Sequence, residues 1–298
     1  MSWLIIVIIA HLLNAVVFII DKYLLSSRIN KPFVYAFYIG ILGLLALVLI
    51  PFGGLVLPKT IQLIINLASG SVYILALISF YYGLRAEEPS RVVPVVGGFV
   101  PIFTIFLSYF LLKERLEGNI LWAVVFLIVG GVLLAIKKFS ISRELLKNFG
   151  FWLLASFLFA LSYVLIRFTF IHQPFVSGFI WARIGGFFTA LILLVIPKVR
   201  KSIFSVTKSV KTNTSFLFIG NQVMGAISFI LLNYAVALMS VSVVNALQGI
   251  QYIFILILSV ILGRNYPQLL IEKVTLLIVL QKIIAIILIS IGISLLFI

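Results

Sequence analysis

Acidic residues are nearly missing from this sequence. Seven Asp and Glu stand against 22 Lys and Arg in 298 residues, and charge of both signs makes up only 10%. An ordinary soluble domain is about 25% charged. Charge this scarce cannot solvate a protein surface, so a soluble globular fold is excluded. Cysteine is absent, which removes disulfides, thiolate metal sites and cysteine nucleophiles. The two histidines, His11 and His172, lack the neighbours of a zinc site. No His-Glu-x-x-His, paired intramembrane aspartates, nucleophile elbow or phosphate-binding glycine loop occurs. Neither an enzyme nor an ATPase is therefore expected, and no cofactor or metal. Met1 to Ala10 carries no basic segment, so it does not read as a cleaved signal peptide.

What is present is apolar. Hydrophobic residues fill 64% of positions and the mean hydropathy is +1.32. The net charge of +15 sits in short gaps between apolar runs, where membrane loops carry it, and not on the clustered face of a nucleic-acid binder. A bilayer-spanning helix needs about 20 mostly apolar residues. Such runs lie near 3–24, 33–52, 61–84, 89–112, 118–136, 150–171, 175–196, 215–239, 241–262 and 277–297. A membrane β-barrel would alternate apolar and polar residues in segments of about ten. Ile41 to Ile50 and Leu121 to Ile136 show no alternation. The expected fold is an all-α integral membrane protein of ten transmembrane helices. The longest polar gap, Lys198 to Ser215, is too short for a soluble domain.

Small and polar residues recur between the halves. Ala10, Ala15 and Lys22 of span 1 match Ala155, Ala160 and Arg167 of span 6 at an offset of 145. Tyr38 and Gly43 match Trp181 and Gly186 at 143, and Ser90 and Gly97 match Ser242 and Gly249 at 152. Ala123 and Gly130 match Ala285 and Gly292 at 162. These offsets divide the chain into a five-helix repeat over 1–138, a linker over 139–147 and a second repeat over 148–298. An odd number of spans inserts the second copy upside down. Inverted repeats are the usual frame of alternating-access carriers, with the substrate site near the midplane.

Two five-span repeats, basic residues ending spans 1 and 6, and Leu112-Lys113-Glu114-Arg115 ending span 4 resemble the drug/metabolite transporter superfamily of EamA type. Gly130 and Gly292 fit the small-residue positions of its repeat-closing helices. One departure stands out: span 9 ends Leu262-Gly263-Arg264-Asn265, without the matching acid, and an insertion, Tyr266 to Thr275, follows. The resemblance implies movement of a substrate through a central cavity lined by spans 1–4 and 6–9, with spans 5 and 10 at the periphery.

Charge inside a span is costly in hydrocarbon and tends to mark a pathway. Arg183 stands in mid-span 7, with Gly186 and Ala190 along its face. It reads as a cation for a substrate carboxylate or phosphate; a structural Arg capping backbone carbonyls is the competing reading. Ser242, Asn245, Gln248 and Tyr252 share one face of span 9, as a ligand-binding stripe or as interhelical glue. Pro94, Gly97, Gly98 and Pro101 should weaken and bend span 4, either as a broken helix lining the site or as a packing kink. Lys22 and Arg167 end equivalent spans as alternating gates or, with more weight, as snorkelling anchors. Tyr81 and Tyr82 in span 3 and Asn221 and Gln222 in span 8 are further lining candidates. Every acid falls near a span end or in a loop, which argues against an embedded acidic site for cationic drugs.

The leading expectation is a secondary carrier of a small polar metabolite, such as an amino acid or another anionic or zwitterionic compound. Its partners are that substrate, the bilayer and, for coupling, a proton or ion. An exporter of cationic or aromatic compounds, a lipid-carrier flippase and a non-transporting scaffold are the competing readings. Sixteen of the 22 Lys and Arg follow odd-numbered spans and four follow even-numbered ones. The positive-inside rule then places both termini outside the inner (cell) membrane, where the superfamily precedent has them inside.

Overall fold

The computed structural model describes residues 2–27, 31–86, 89–116, 118–135, 143–209, 212–263 and 276–295. The side chains of Lys22 and Pro94, the Tyr266 to Thr275 insertion and residues 139–142 of the linker lie outside the described residues. Among these residues there is helix and no strand. Apolar residues without period-2 alternation leave an α-helix as the one local structure that satisfies its own backbone in lipid. The elements are α1 (Ser2–Ser27), α2 (Pro32–Leu42), a 3₁₀ stretch (Gly43–Leu49), α3 (Ile50–Gly53), α4 (Thr60–Ala86), α5 (Pro89–Leu111) and α6 (Gly118–Ala135). The second half has α7 (Arg143–His172), α8 (Phe175–Leu193), α9 (Pro197–Ser209), α10 (Thr212–Leu238), α11 (Val241–Ala246), α12 (Gly249–Gly263) and α13 (Leu276–Leu295).

Among the described residues, six stretches are long and apolar enough to cross a membrane: Trp3–Asp21, Pro32–Gly53, Thr60–Gly83, Phe149–His172, Phe175–Leu193 and Asn213–Leu238. Shorter apolar helices cover Val95–Leu111, Gly118–Leu133, Val241–Ile255 and Leu280–Leu295. They fall on the spans read from the sequence. Large apolar side chains such as Phe52, Phe216 and Val195 are exposed on the outside, the surface that lipid covers.

The halves pack on each other by a reciprocal rule. α4 packs on α7, and its counterpart α10 packs on α1. α5 packs on α7 as α12 packs on α1. The repeat also appears atom by atom. A Cβ at Gly130 would meet Ala285 O and Ile289, and one at Gly292 would meet Ala123 O and Leu127. At the offset of 162 these are the same contact made twice. Likewise a Cβ at Gly40 would lie 3.1 Å from Gly186 O, and one at Gly43 would lie 3.5 Å from Arg183 O; at the offset of 143, 40 pairs with 183 and 43 with 186. Such exchange requires a twofold axis through the α6–α13 and α2–α8 crossings.

Three local features go beyond the sequence reading. α5 runs as unbroken helix through Pro94, Gly97, Gly98 and Pro101, and the break falls in span 9, at Leu247 and Gln248 between α11 and α12. The run Val241-Ser242-Val243-Val244-Asn245 combines β-branched and backbone-competing side chains. Its polar groups bond to α5, and the chain turns tightly through Gln248 N–H to Asn245 O and Ile250 N–H to Leu247 O. Span 2 is also interrupted, passing into 3₁₀ helix at Gly43. The polar gap after span 7 holds α9, whose Ile203 is buried in the core while Phe204 is exposed. Lys31 at the start of α2 donates to Ser202 of α9 at 3.3 Å.

Candidate functional site

Arg183 lies on α8 beside Gly43, where the 3₁₀ stretch begins. The reciprocal Gly40–Gly186 and Gly43–Arg183 contacts set it within a turn of the pseudo-twofold axis. Its guanidinium faces three rings: Phe229 of α10 at 4.3 Å, Tyr73 of α4 at 5.0 Å and Phe179 of its own helix at 5.5 Å. The sequence reading did not anticipate this aromatic cage. Phe179 stands four residues before Arg183, one helical turn away, and was the one ring the sequence could have pointed to. Desolvated cation–π contacts are worth about 2 kcal/mol or more, against about 2.5–3.5 kcal/mol or more for an Arg at the bilayer centre. The rings thus hold the charge without neutralising it. Nε is buried and makes no hydrogen bond, and among the described residues no carboxylate pairs with this arginine.

The span 9 stripe is used differently. Ser242 Oγ lies 2.8 Å from Ser108 Oγ, and Asn245 Nδ2 donates to Thr104 Oγ1 at 3.1 Å. Both tie α11 to α5, so at these two positions the structure favours the glue reading. Tyr252 is buried with its hydroxyl against Gly97, leaving no room for a side chain there. Gln248 is half-buried at the helix break, with Nε2 beside Gly97. The structure therefore brings Gly97, Gln248 and Tyr252 together, while the contacts of Arg183 come from α4, α8, α10 and the 3₁₀ stretch. One turn on, Gln251 Oε1 lies 3.4 Å from His11 Nδ1, and His11 Nε2 is buried without a partner. His11 is an ionisable group inside span 1, and the rule that singled out Arg183 could have found it.

Arg167 makes an ion pair with Glu114 at 3.4 Å. Its Nη1 also donates to Val236 O at 2.6 Å and Ala237 O at 2.9 Å, capping the end of α10. Glu114 accepts in turn from Ser240 Oγ at 2.8 Å. Lys113, with φ 56, turns the chain so that Glu114 N–H reaches back to Ser108 O. The Leu112-Lys113-Glu114 ending thus aims an acid at the base of span 6.

At the opposite end of the bundle the acid is Asp21. As read from the sequence, Asp21 stands at a span end, where it closes the apolar stretch of α1, and its carboxylate is bonded by side chains of α2 and α10. It accepts from the Tyr35 hydroxyl and from Asn221 Nδ2, the latter at 2.6 Å. Gln222 Nε2 donates to Tyr35 at 3.3 Å, and the Tyr81 ring packs on Tyr35 at 5.0 Å. Tyr82 is placed otherwise than read: it is exposed, against Phe33 and Phe151. Its neighbour Tyr81 is the buried one, because adjacent helical residues point about 100° apart.

Residues 1–136 match the family model described as the EamA-like transporter family. No curated protein matches the sequence. A solved structure titled "Crystal structure of protein" matches over 99% of this chain and 96% of its own, with a TM-score of 0.70 at 14% identity. At that identity the likeness is one of fold.

Proposed function

We propose that this chain, whose residues 1–136 match the EamA-like transporter family, is a membrane transporter of small molecules and, more narrowly, a secondary carrier for a small organic anion or zwitterion. The two repeats, 1–138 and 148–298, would alternate access to a site at their shared midplane. The observation that carries the reading is Arg183: a cation near the repeat axis, caged by rings, with no carboxylate of the described residues against it. A carboxylate arriving on the substrate supplies the missing charge, and the flanking rings contact its apolar body. Two interrupted spans support the placement, since broken helices line many carrier sites: span 2 breaks against Arg183, and span 9 breaks at Gln248. Gly97, Gln248 and Tyr252 form the second wall. Lys22 and Arg167 end pseudo-equivalent spans on opposite faces, where Arg167 would act as one gate.

The test begins with thermal-shift screening of metabolites on the purified chain, because a ligand of the folded state raises Tm. Uptake of the hit into proteoliposomes is then measured for Arg183→Lys and Arg183→Ala. A charged hydrogen bond is worth about 1.5–3 kcal/mol, so Arg183→Ala should weaken uptake by roughly tenfold or more. Arg183→Lys, which keeps charge and loses the planar fork, should fall between. Full uptake in folded Arg183→Ala would show that the cage is packing alone.

A further inference from the structure

The carboxylate of Asp21 is held by neutral groups only. Tyr35 and Asn221 both donate to its Oδ1, and among the described residues no Lys or Arg pairs with it. A second observation comes from Asn221. This residue is 2% exposed, and its Oδ1 is buried with no hydrogen-bond partner. The same amide that donates to Asp21 thus presents an unused oxygen beside it. A buried acceptor left unpaired costs about 1–3 kcal/mol, and a carboxylate without a counter-charge inside a bundle costs more. Both deficits vanish when one positive charge enters between the two oxygens.

From this geometry we propose that Asp21, Asn221 and Tyr35 form a binding site for a monovalent cation, H⁺ or Na⁺, that couples transport to an ion gradient. The shared chemistry is a positive charge taken by one carboxylate, one amide oxygen and one phenol. The site joins α1, α2 and α10, which belong to both repeats, so filling it alters the contact between the halves. It also lies at the end of the bundle opposite the Arg167–Glu114 pair. The titratable groups on the packed elements are Tyr35 on α2 and Tyr81 and Tyr73 on α4; α10 contributes the neutral Asn221 and Gln222. Lys31, at the start of α2, donates to Ser202 of α9. The inference rests on the carrier reading, but binding is read without any substrate, so the two can fail separately.

The experiment uses the purified full chain, with NaCl exchanged for choline chloride at constant ionic strength and Tm followed across a pH series. In the sodium arm, saturating NaCl raises wild-type Tm by about 5 °C and leaves Asp21→Asn unmoved. In the proton arm, Na⁺ has no effect, and wild-type Tm shows a pH-dependent step that Asp21→Asn lacks. Asn221→Ala keeps the carboxylate and removes the unused oxygen; it should weaken the Na⁺ response about tenfold or displace the pH step. If Asp21→Asn does not fold, Asn221→Ala against wild type decides by the same two readouts. A wild type indifferent to Na⁺, whose pH profile coincides with that of the variants, overturns the proposal.

Discussion

Replacing Arg167 with Ala cuts three links at one membrane face. The guanidinium donates to the carbonyls of Val236 and Ala237 and pairs with Glu114 at 3.4 Å, both side chains being 17% exposed. A charged hydrogen bond is worth about 1.5–3 kcal/mol, though water at the membrane face recovers part of each freed carbonyl. The ion pair adds about 1 kcal/mol at this exposure. The total is about 3 kcal/mol. Glu114→Ala keeps the helix cap and loses the pair and the Ser240 bond, about 1.5 kcal/mol. If these links exist only while this face is shut, the closed-to-open ratio falls about 100-fold in Arg167→Ala and about tenfold in Glu114→Ala. The chain has no cysteine, so Val241→Cys, at a fully buried position beside Ser240, gives a clean reporter. Its labelling by an impermeant maleimide should accelerate by those factors. Unchanged labelling in a folded Arg167→Ala protein would refute the gate and leave Arg167 as an anchor that persists in both states.

Three further outcomes follow from the packing. Gly130→Leu forces a side chain into Ala285 and Ile289 and should cost about 1–3 kcal/mol, with Gly292→Leu costing a similar amount at the reciprocal contact; unequal Tm losses would argue against the axis. Ser69 and Ser162 donate to each other's backbone carbonyls at 3.1 and 2.9 Å, so each Ser→Ala change should lower stability by about 1 kcal/mol, read as Tm. By the charge bias, Lys201→Cys on exposed α9 faces the cytoplasm and should stay unlabelled by an impermeant reagent in intact cells; rapid labelling there would invert the assignment of the termini.

The sequence by itself determined the surroundings and the all-helical class. A composition with so little charge has lipid as its only workable surroundings, and each apolar run must then close its own hydrogen bonds as helix. The offsets of 143 and 162 read from the sequence recur in the reciprocal glycine contacts of the structure, because a twofold operation turns sequence equivalence into reciprocal contact. Arg183 was legible for the same reason: one charge in an apolar run is conspicuous. Tertiary structure alone decided what each polar group faces. Tyr73 and Phe229 are distant in sequence from Arg183, and nothing in their local context marks them apart from the other aromatic residues of the chain. Ser242 and Asn245 make a convincing stripe on a helical wheel, yet Ser108 and Thr104 on α5 consume them. The partners of Asp21 and the outward direction of Tyr82 depend on how α2, α4 and α10 close around α1. The interruption of span 9 at Leu247 and Gln248 was not legible in the sequence, because it goes with side-chain bonds from α11 to α5.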